Sequence, residues 1–431
     1  MGKVSVCLTL LILLTTSPMA QWTRQSFPTT EELLRIRFVN EKTGWILAQK
    51  HLYCTTDCGA TWVSQYELKQ TAMALCAVDP NTVFFAEGVT VPGREGTFGI
   101  RRTTDGGRTW VLVDSSIGTY YYDIIFPNPS LGFAAGDSAD HPIIKKTTDK
   151  GLTWRTVARF QKSELMIHLD EIVGISFATP LLGWAVSYRG VLYHTEDGGD
   201  SWAYQDSLTD PSKPNRVWDV QFTSAECGWV VGGAGEGLLQ RTTDGGKTWQ
   251  SVAPKYCGNL KEIQMLNSRT GYCVGEFSAE YNVTRTTDGG ISWIPSEYPK
   301  DAHFNSVSML DTTTGWVAGS WGNVYRLGSN AGSKTHVQKE SSNIKDFELL
   351  QNYPNPFNPS TEISYHLPEN QFVRISVHDL LGKEITILVN EYKQAGIHSV
   401  QFNAPFLPSG MYLYRIEAGK FSASRKLMLI K

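Results

Sequence analysis

A chain of 431 residues is too long for one ordinary core unless that core is built by repetition. Its 13 tryptophans and 39 glycines suit repeated strands and tight turns. A formal net charge of -3, with no run of Lys or Arg, gives no support to nucleic acid or an anionic membrane as partner.

Residues 1–20 read as a secretory signal peptide. Lys3 supplies an early positive charge, Val4 to Leu14 form a short apolar run, and Ala20 is a small residue at a cut site. The run is too short to span a bilayer as a helix. Cleavage there removes Cys7 and leaves Cys54, Cys58, Cys76, Cys227, Cys257 and Cys273. An even number in an exported chain permits disulfides, and buried free thiols are the alternative. Cys54-x3-Cys58 lacks further ligands at zinc-like spacing, so no metal and no cofactor are expected.

From residue 21 to 328 the chain repeats. Phrases of the form Thr-x-Asp-x-Gly-x-(Thr/Ser)-Trp begin at Thr55, Thr103, Thr147, Thr195, Thr242 and Thr286. Their aspartates, Asp57, Asp105, Asp149, Asp197, Asp244 and Asp288, are 48, 44, 48, 47 and 44 residues apart, a period suited to propeller blades. Each unit offers an apolar strand such as Val217 to Phe222, a Gly-aromatic strand such as Gly228 to Gly232, a third strand running into the phrase, and a fourth after its Trp. Six Gly-aromatic pairs, from Gly44-Trp45 to Gly315-Trp316, and a degenerate one at Thr82 to Phe85 predict seven blades; six with a stray strand is the rival count. The last unit lacks a fourth strand, which Gln21 to Gln25 is expected to supply, closing the ring.

Within the phrase the aspartate is expected to accept turn N–H groups, the Gly to take positive φ, and the Trp to bury its ring between blades. On that reading the six aspartates are structural. These phrases resemble the Asp-box (BNR-like) repeats of sialidases, sortilin-type receptors and the propeller factors of photosystem II assembly. The resemblance implies an all-β, seven-bladed β-propeller and says little about activity. A sialidase would carry a Phe-Arg-Ile-Pro-like phrase; Arg35 to Phe38 lacks the proline, and no catalytic residue is carried over. Among the loop acids Asp137, Asp140, Glu236, Glu276 and Asp301 no glycosidase pair stands out.

The loops between second and third strands, and between units, should gather on the face opposite the boxes. Ligand-binding candidates there are Arg94, Tyr121, His141, Arg189, Arg216, Trp218, Tyr281, His303 and Trp321. The plainer reading of each is loop packing or a solvated surface.

Residues 329–346 are polar and read as a flexible linker. Residues 347–431 alternate apolar and polar over about seven strands, an Ig-like β-sandwich. Asn352 to Thr361, Leu380-Leu381-Gly382-Lys383, Ala395 to His398, Pro408 to Tyr412 and Lys426 to Lys431 resemble the type A C-terminal sorting domain of the type IX secretion system, with His378 where tyrosine is usual. That resemblance implies passage through the periplasm, recognition by the outer-membrane translocon, and then release or attachment to surface lipopolysaccharide. The combined expectation is an exported, non-enzymatic propeller that binds a protein or glycan at the bacterial cell surface. The alternatives are a secreted glycoside hydrolase or sialidase-like enzyme, and a periplasmic or surface assembly factor.

Overall fold

In the computed structural model the described residues are 21–91, 94–138, 141–160, 171–208, 216–234, 237–254, 258–276, 282–295, 302–328, 347–349, 352, 357, 359–379, 382–393 and 396–429. The signal peptide, the linker, Tyr281, Asp140, Glu236, Asp301 and Cys257 lie outside them. The chain divides into two compact units between Ser333 and Lys334.

Among its described residues the first unit holds seven four-stranded antiparallel sheets, six of them contiguous in sequence. Their first strands are Leu33–Phe38, Ala72–Ala77, Thr119–Ile125, Ile172–Phe177, Val217–Phe222, Asn259–Met265 and Phe304–Met309. Each packs against the first strand of the next sheet, and the last packs against Leu33–Phe38, so the arrangement closes on itself. The seventh sheet takes its fourth strand from residues ahead of the first sheet, as the sequence leads one to expect. Trp22–Gln25 pairs antiparallel with Val324–Leu327, with Trp22 opposite Leu327. Trp22 is 6% exposed and meets the Tyr272 ring edge-on. The degenerate second unit is a full sheet whose second strand is Val83–Val91.

The apolar core lies between adjacent sheets. Trp45, Phe84, Phe133, Trp184, Trp229, Tyr272 and Trp316 on the second strands are all buried. Glycine opens most of these strands because the last side chain of the first strand lies across it: at Gly228 a Cβ would stand 2.5 Å from the Phe222 ring.

The box turns share one bonding pattern. In the fifth, Thr242 Oγ1 donates to Asp244 Oδ1 at 2.8 Å and accepts the Gly246 N–H at 2.9 Å. Asp244 Oδ1 accepts the Thr248 N–H at 2.9 Å, and its Oδ2 accepts the Thr248 hydroxyl at 2.6 Å. Corresponding bonds recur at Asp57, Asp105, Asp149, Asp197 and Asp288. The box glycine has a second duty. Gly290 has φ +76°, and a Cβ there would stand 2.2 Å from Trp229 Nε1 of the preceding sheet, so it provides both the turn and the seat for a neighbouring ring. Five box tryptophans pack edge-on against aromatic rings of the first or second strands, as Trp62 does on Phe38 and Trp110 on Trp45.

The second unit has two sheets. One orders Glu348–Leu349, Ser360–Leu367 and Gly396–Asn403; the other orders Glu384–Lys393, Gln371–His378, Gly410–Ala418 and Phe421–Leu429. They bury one shared core that includes Ile363, Tyr365, Val373, Ile375, Tyr414 and Leu427. Asn352, at the head of the proline-rich motif, is buried. Its N–H donates to Tyr414 Oη at 2.8 Å and its Nδ2 to Thr361 Oγ1 at 2.9 Å. Phe357 donates its N–H to the Met428 carbonyl at 2.9 Å, which ties the motif to the terminal strand.

Cys54, Cys58, Cys76 and Cys227 carry free thiols. Burial pushes the Cys54 thiol up to about 11 and the Cys76 thiol to about 12. Among the described residues no helix is long and apolar enough to cross a membrane.

Candidate functional site

Antiparallel pairing puts the first-to-second-strand turns and the boxes on one face. The second-to-third-strand turns and the connections between sheets form the other, the loop face. On approaching the loop face every first strand carries a bulge at the same place. Pairing with the second strand skips Leu34, Met73, Tyr122, Val173, Trp218, Lys261 and Asn305. A bulge leaves one residue out of the ladder and re-aims its side chain. Seven in register form a rim.

The rim is chemically uneven. Around the fourth to sixth sheets it is aromatic and cationic: Lys261 Nζ sits 4.6 Å over the Trp218 ring, Tyr188 meets Trp218 edge-on at 5.1 Å, and Arg216 lies 5.5 Å over Tyr188. Cation–ring pairs of this kind hold long charged side chains at defined positions. Where the seventh sheet meets the first, the rim is polar. Asn305 Nδ2 donates to the Leu33 carbonyl at 3.0 Å and also to Glu32. Glu31 Oε1 accepts from Tyr53 Oη at 3.1 Å and meets His51 Nδ1 at 2.7 Å. Burial disfavours the Glu31 charge, but His51, the Lys50 N–H and Tyr53 together hold its carboxyl below the ordinary value.

Further along the same strands lies a cavity of about 370 Å³, lined by Arg37, Asp123, Ser176, Asp219, Glu262 and Gln264 among others. Its polar side chains reach the backbone of the next sheet. Asp123 Oδ2 accepts the Ile175 N–H at 3.0 Å, Ser176 Oγ that of Phe222 at 2.8 Å, and Asp219 Oδ2 that of Ile263 at 3.0 Å. Glu262 Oε2 accepts the Val307 N–H at 2.8 Å. Ser306 and Ser308 accept from Ile36 and Phe38 at 3.0 and 2.8 Å, joining the seventh sheet to the first. Arg37 Nη2 donates to Glu262 Oε1 at 2.7 Å. Burial opposes the Arg37 charge, but Glu262 outweighs it and raises the guanidinium pKa. Burial, and then the Glu262 charge, push the Asp219 carboxyl up to about 8; Asp123 is also raised, chiefly by burial.

A carboxyl whose pKa is raised, beside a second carboxyl in one cavity, is the kind of arrangement that serves acid–base chemistry. The bonding argues otherwise for this pair. Both oxygens of Asp219 accept backbone N–H groups, from Val220 and Ile263, and both oxygens of Glu262 are engaged by Arg37 and Val307. These carboxyls latch neighbouring sheets.

The residues nominated from sequence fare unevenly. Arg216 and Trp218 come together on the rim with Tyr188, while Arg189 stands half-buried in the adjoining turn. His303 and Trp321 form a second pair, ring centres 6.5 Å apart. Tyr121 is a correction. It was expected on a loop but is 3% exposed in the strand Thr119–Ile125, where its hydroxyl donates to Asp114 Oδ2 at 2.7 Å and Lys145 lies 5.8 Å over its ring. His141 opens the strand His141–Thr147, and only the backbone of Arg94, at the start of Arg94–Thr103, is described. Sequence reasoning missed Lys261 and the carboxyl latch in the cavity. The latch left a signal, because Asp219-Val220-Gln221-Phe222 and Glu262-Ile263-Gln264-Met265 are the same phrase one unit apart.

A solved structure of YCF48 bound to D1 peptide aligns at TM-score 0.55 and 17% identity over 72% of this chain and 97% of that one. A Niastella koreensis GH74 enzyme aligns at TM-score 0.55 and 13% identity over 95% and 74%. At such identities the likeness establishes the fold, a β-propeller. Residues 154–270 match the family described as photosynthesis system II assembly factor YCF48, and residues 351–431 match the secretion system C-terminal sorting domain. A photosystem II assembly lipoprotein Ycf48 of Synechococcus sp. (strain CC9902) is 26% identical over 174 residues, 40% of this chain and 48% of the relative. The chain thus spans about half the length of that relative. It joins a YCF48-like propeller domain to a type IX sorting domain, and that domain marks it for export through the periplasm to the outer surface or beyond.

Proposed function

We propose that the protein is an exported, non-enzymatic, seven-bladed propeller that binds a protein or glycan at the cell surface through its loop face. The observation carrying this reading is the rim of seven aligned bulges, whose Trp218–Lys261–Tyr188–Arg216 sector offers rigid aromatic and cationic groups at the mouth of the ring. Residues 1–20 serve as signal peptide, 21–328 as the propeller with seven sheets as blades, 329–346 as linker, and 347–431 as an Ig-like sorting module engaged by the translocon. The boxes act as rivets, since each aspartate is consumed by its own turn. The YCF48 relatives, one an assembly lipoprotein and one solved bound to a peptide, favour a protein ligand as one form of this reading.

The test compares the purified mature chain with two sets of substitutions for binding to intact cells lacking the gene. Arg216→Glu with Trp218→Ala and Lys261→Glu on the loop face should reduce binding at least tenfold. Arg108→Glu with Lys247→Glu on the box face should leave it unchanged. Equal binding by the first set would reject the loop face as the site. Turnover on a broad panel of polysaccharides and sialosides, abolished at Asp219 or Glu262, would replace the proposal with glycoside hydrolysis.

A further inference from the structure

Three non-glycine residues among those described have positive φ: Cys58, Lys150 and Trp321. The first two are accounted for by the boxes, where they occupy the slot after the aspartate that is glycine at 106, 198, 245 and 289. Trp321 has no such explanation. It lies in the turn Ser320–Gly322 between the second and third strands of the seventh sheet, on the loop face, with φ 57° and ψ 36°. A bulky side chain in the left-handed region is disfavoured, and glycine would take the position without strain.

The turn is fixed from several sides. The Gly322 N–H donates to the Glu31 carbonyl at 2.9 Å, the Ser320 N–H to that of His303 at 3.0 Å, and the Gly319 N–H to that of Asn323 at 3.0 Å. Ser320 Oγ donates to Glu32 Oε1 at 3.1 Å, and Asn323 Nδ2 to the Ser320 carbonyl at 2.9 Å. Strain persists where the surroundings over-determine it, and such positions gather at ligand clamps. The outcome of all this bonding is an indole that packs into no core: Trp321 is 63% exposed, with the exposed His303 ring beside it.

We infer that Trp321 is the stacking platform for a pyranose ring of a neutral glycan. This deepens the binding function proposed above and rests on it. The setting of the ring suits a sugar better than a protein. A protein hot spot needs neighbouring apolar surface that excludes water around it. Here the segments bonded to the turn contribute Glu31, Glu32, His303, Asn305 and Ser320, and Trp321 is the only large exposed apolar residue among them. A flat ring with a polar border matches one pyranose, which presents an apolar C–H face and a rim of hydroxyls. Neutrality follows from the nearby carboxylates Glu31 and Glu32, which would repel a uronate or sialate.

The experiment is native electrophoresis of the full mature chain through gels containing barley β-glucan, xyloglucan, galactomannan or pullulan, with polygalacturonate as an acidic comparison. At least one neutral polymer should retard the wild type. Trp321→Ala and Trp321→Gly should each weaken that retardation at least tenfold, while Trp321→Gly melts at or above the wild-type temperature because glycine relieves the turn. Three results would overturn the inference: no retardation by any neutral polymer, retardation that Trp321→Gly leaves intact, or a fall of several degrees in the Trp321→Gly melting temperature, which would make the ring a packing residue. Loss of this inference with cell binding retained would leave the loop-face function standing with another ligand.

Discussion

Closure of the ring by the chain's own start makes Trp22→Ala the most informative stability variant. Trp22 is 6% exposed, meets Tyr272 edge-on, and packs in a cluster with Phe304, Val307 and Leu327 of its own sheet and Val274 and Val283 of the sixth. Burying an aromatic side chain of this kind removes on the order of 150–250 Å² from water, which at about 25 cal/mol per Å² gives an upper figure of about 4–6 kcal/mol. Core truncations of this size cost about 3–5 kcal/mol in practice. The backbone bonds of Trp22–Gln25 to Val324–Leu327 survive the substitution, so the loss should be that of the ring alone. Urea unfolding of the mature chain, followed by circular dichroism, should show a lower midpoint with unchanged slope. Arg24→Ala on the same strand should change stability by less than about 0.5 kcal/mol, as surface substitutions usually do. If Trp22→Ala costs under about 1 kcal/mol, the strand is an ornament on a ring that closes without it.

Acid should weaken the propeller in a defined window. Asp105, Asp149, Asp244 and Asp288 are held at about 2, and Asp197 lower, by bonds from the following Thr or Ser; in Asp149 burial opposes those bonds and is outweighed. A depressed carboxyl stabilises the fold above its unfolded value near 3.9, and that contribution disappears as pH falls through about 2. Melting temperature should therefore decline from pH 4 to pH 2, and a flat profile there would contradict the box bonding. Asp219 works in the opposite sense. Its carboxyl is raised to about 8, so its contribution is full below about 4 and is lost as pH rises through 8. Asp219→Asn should remove that slope between pH 4 and pH 8, read as melting temperature against pH. Deleting residues 347–431 should leave the propeller in the periplasm of a type IX-competent host, as cell fractionation would show; normal appearance of the truncated chain outside would refute the sorting role.

The repeats were legible because their determinants are local. Each box carries its own hydrogen-bond partners within five residues, so Thr242, Asp244, Gly246 and Thr248 can be read without knowing what packs around them. The closing strand was legible for a different reason: the last unit lacked a fourth strand and Gln21 to Gln25 was unclaimed. The rim was less so. A bulge is a property of pairing between two strands, and nothing in Asp219 or Trp218 alone announces that the ladder skips one residue there. Three consecutive tyrosines show the cost. Tyr120 points out against Phe98, Tyr121 points in to Asp114, and Tyr122 falls in the bulge, yet the sequence offers no reason to choose among them. Trp321 could be nominated as an aromatic on a loop, but its left-handed backbone emerges only from bonds to Glu31 and His303, distant in sequence.

Amine labelling of the mature chain while it is bound to intact cells tests the loop-face claim most directly. Lys261 stands over Trp218 on the rim, and Lys247 lies in a box turn on the opposite face. Bound protein should acetylate at Lys261 at least fivefold more slowly than free protein, with Lys247 unchanged. Protection of Lys247 with Lys261 unaffected would contradict it.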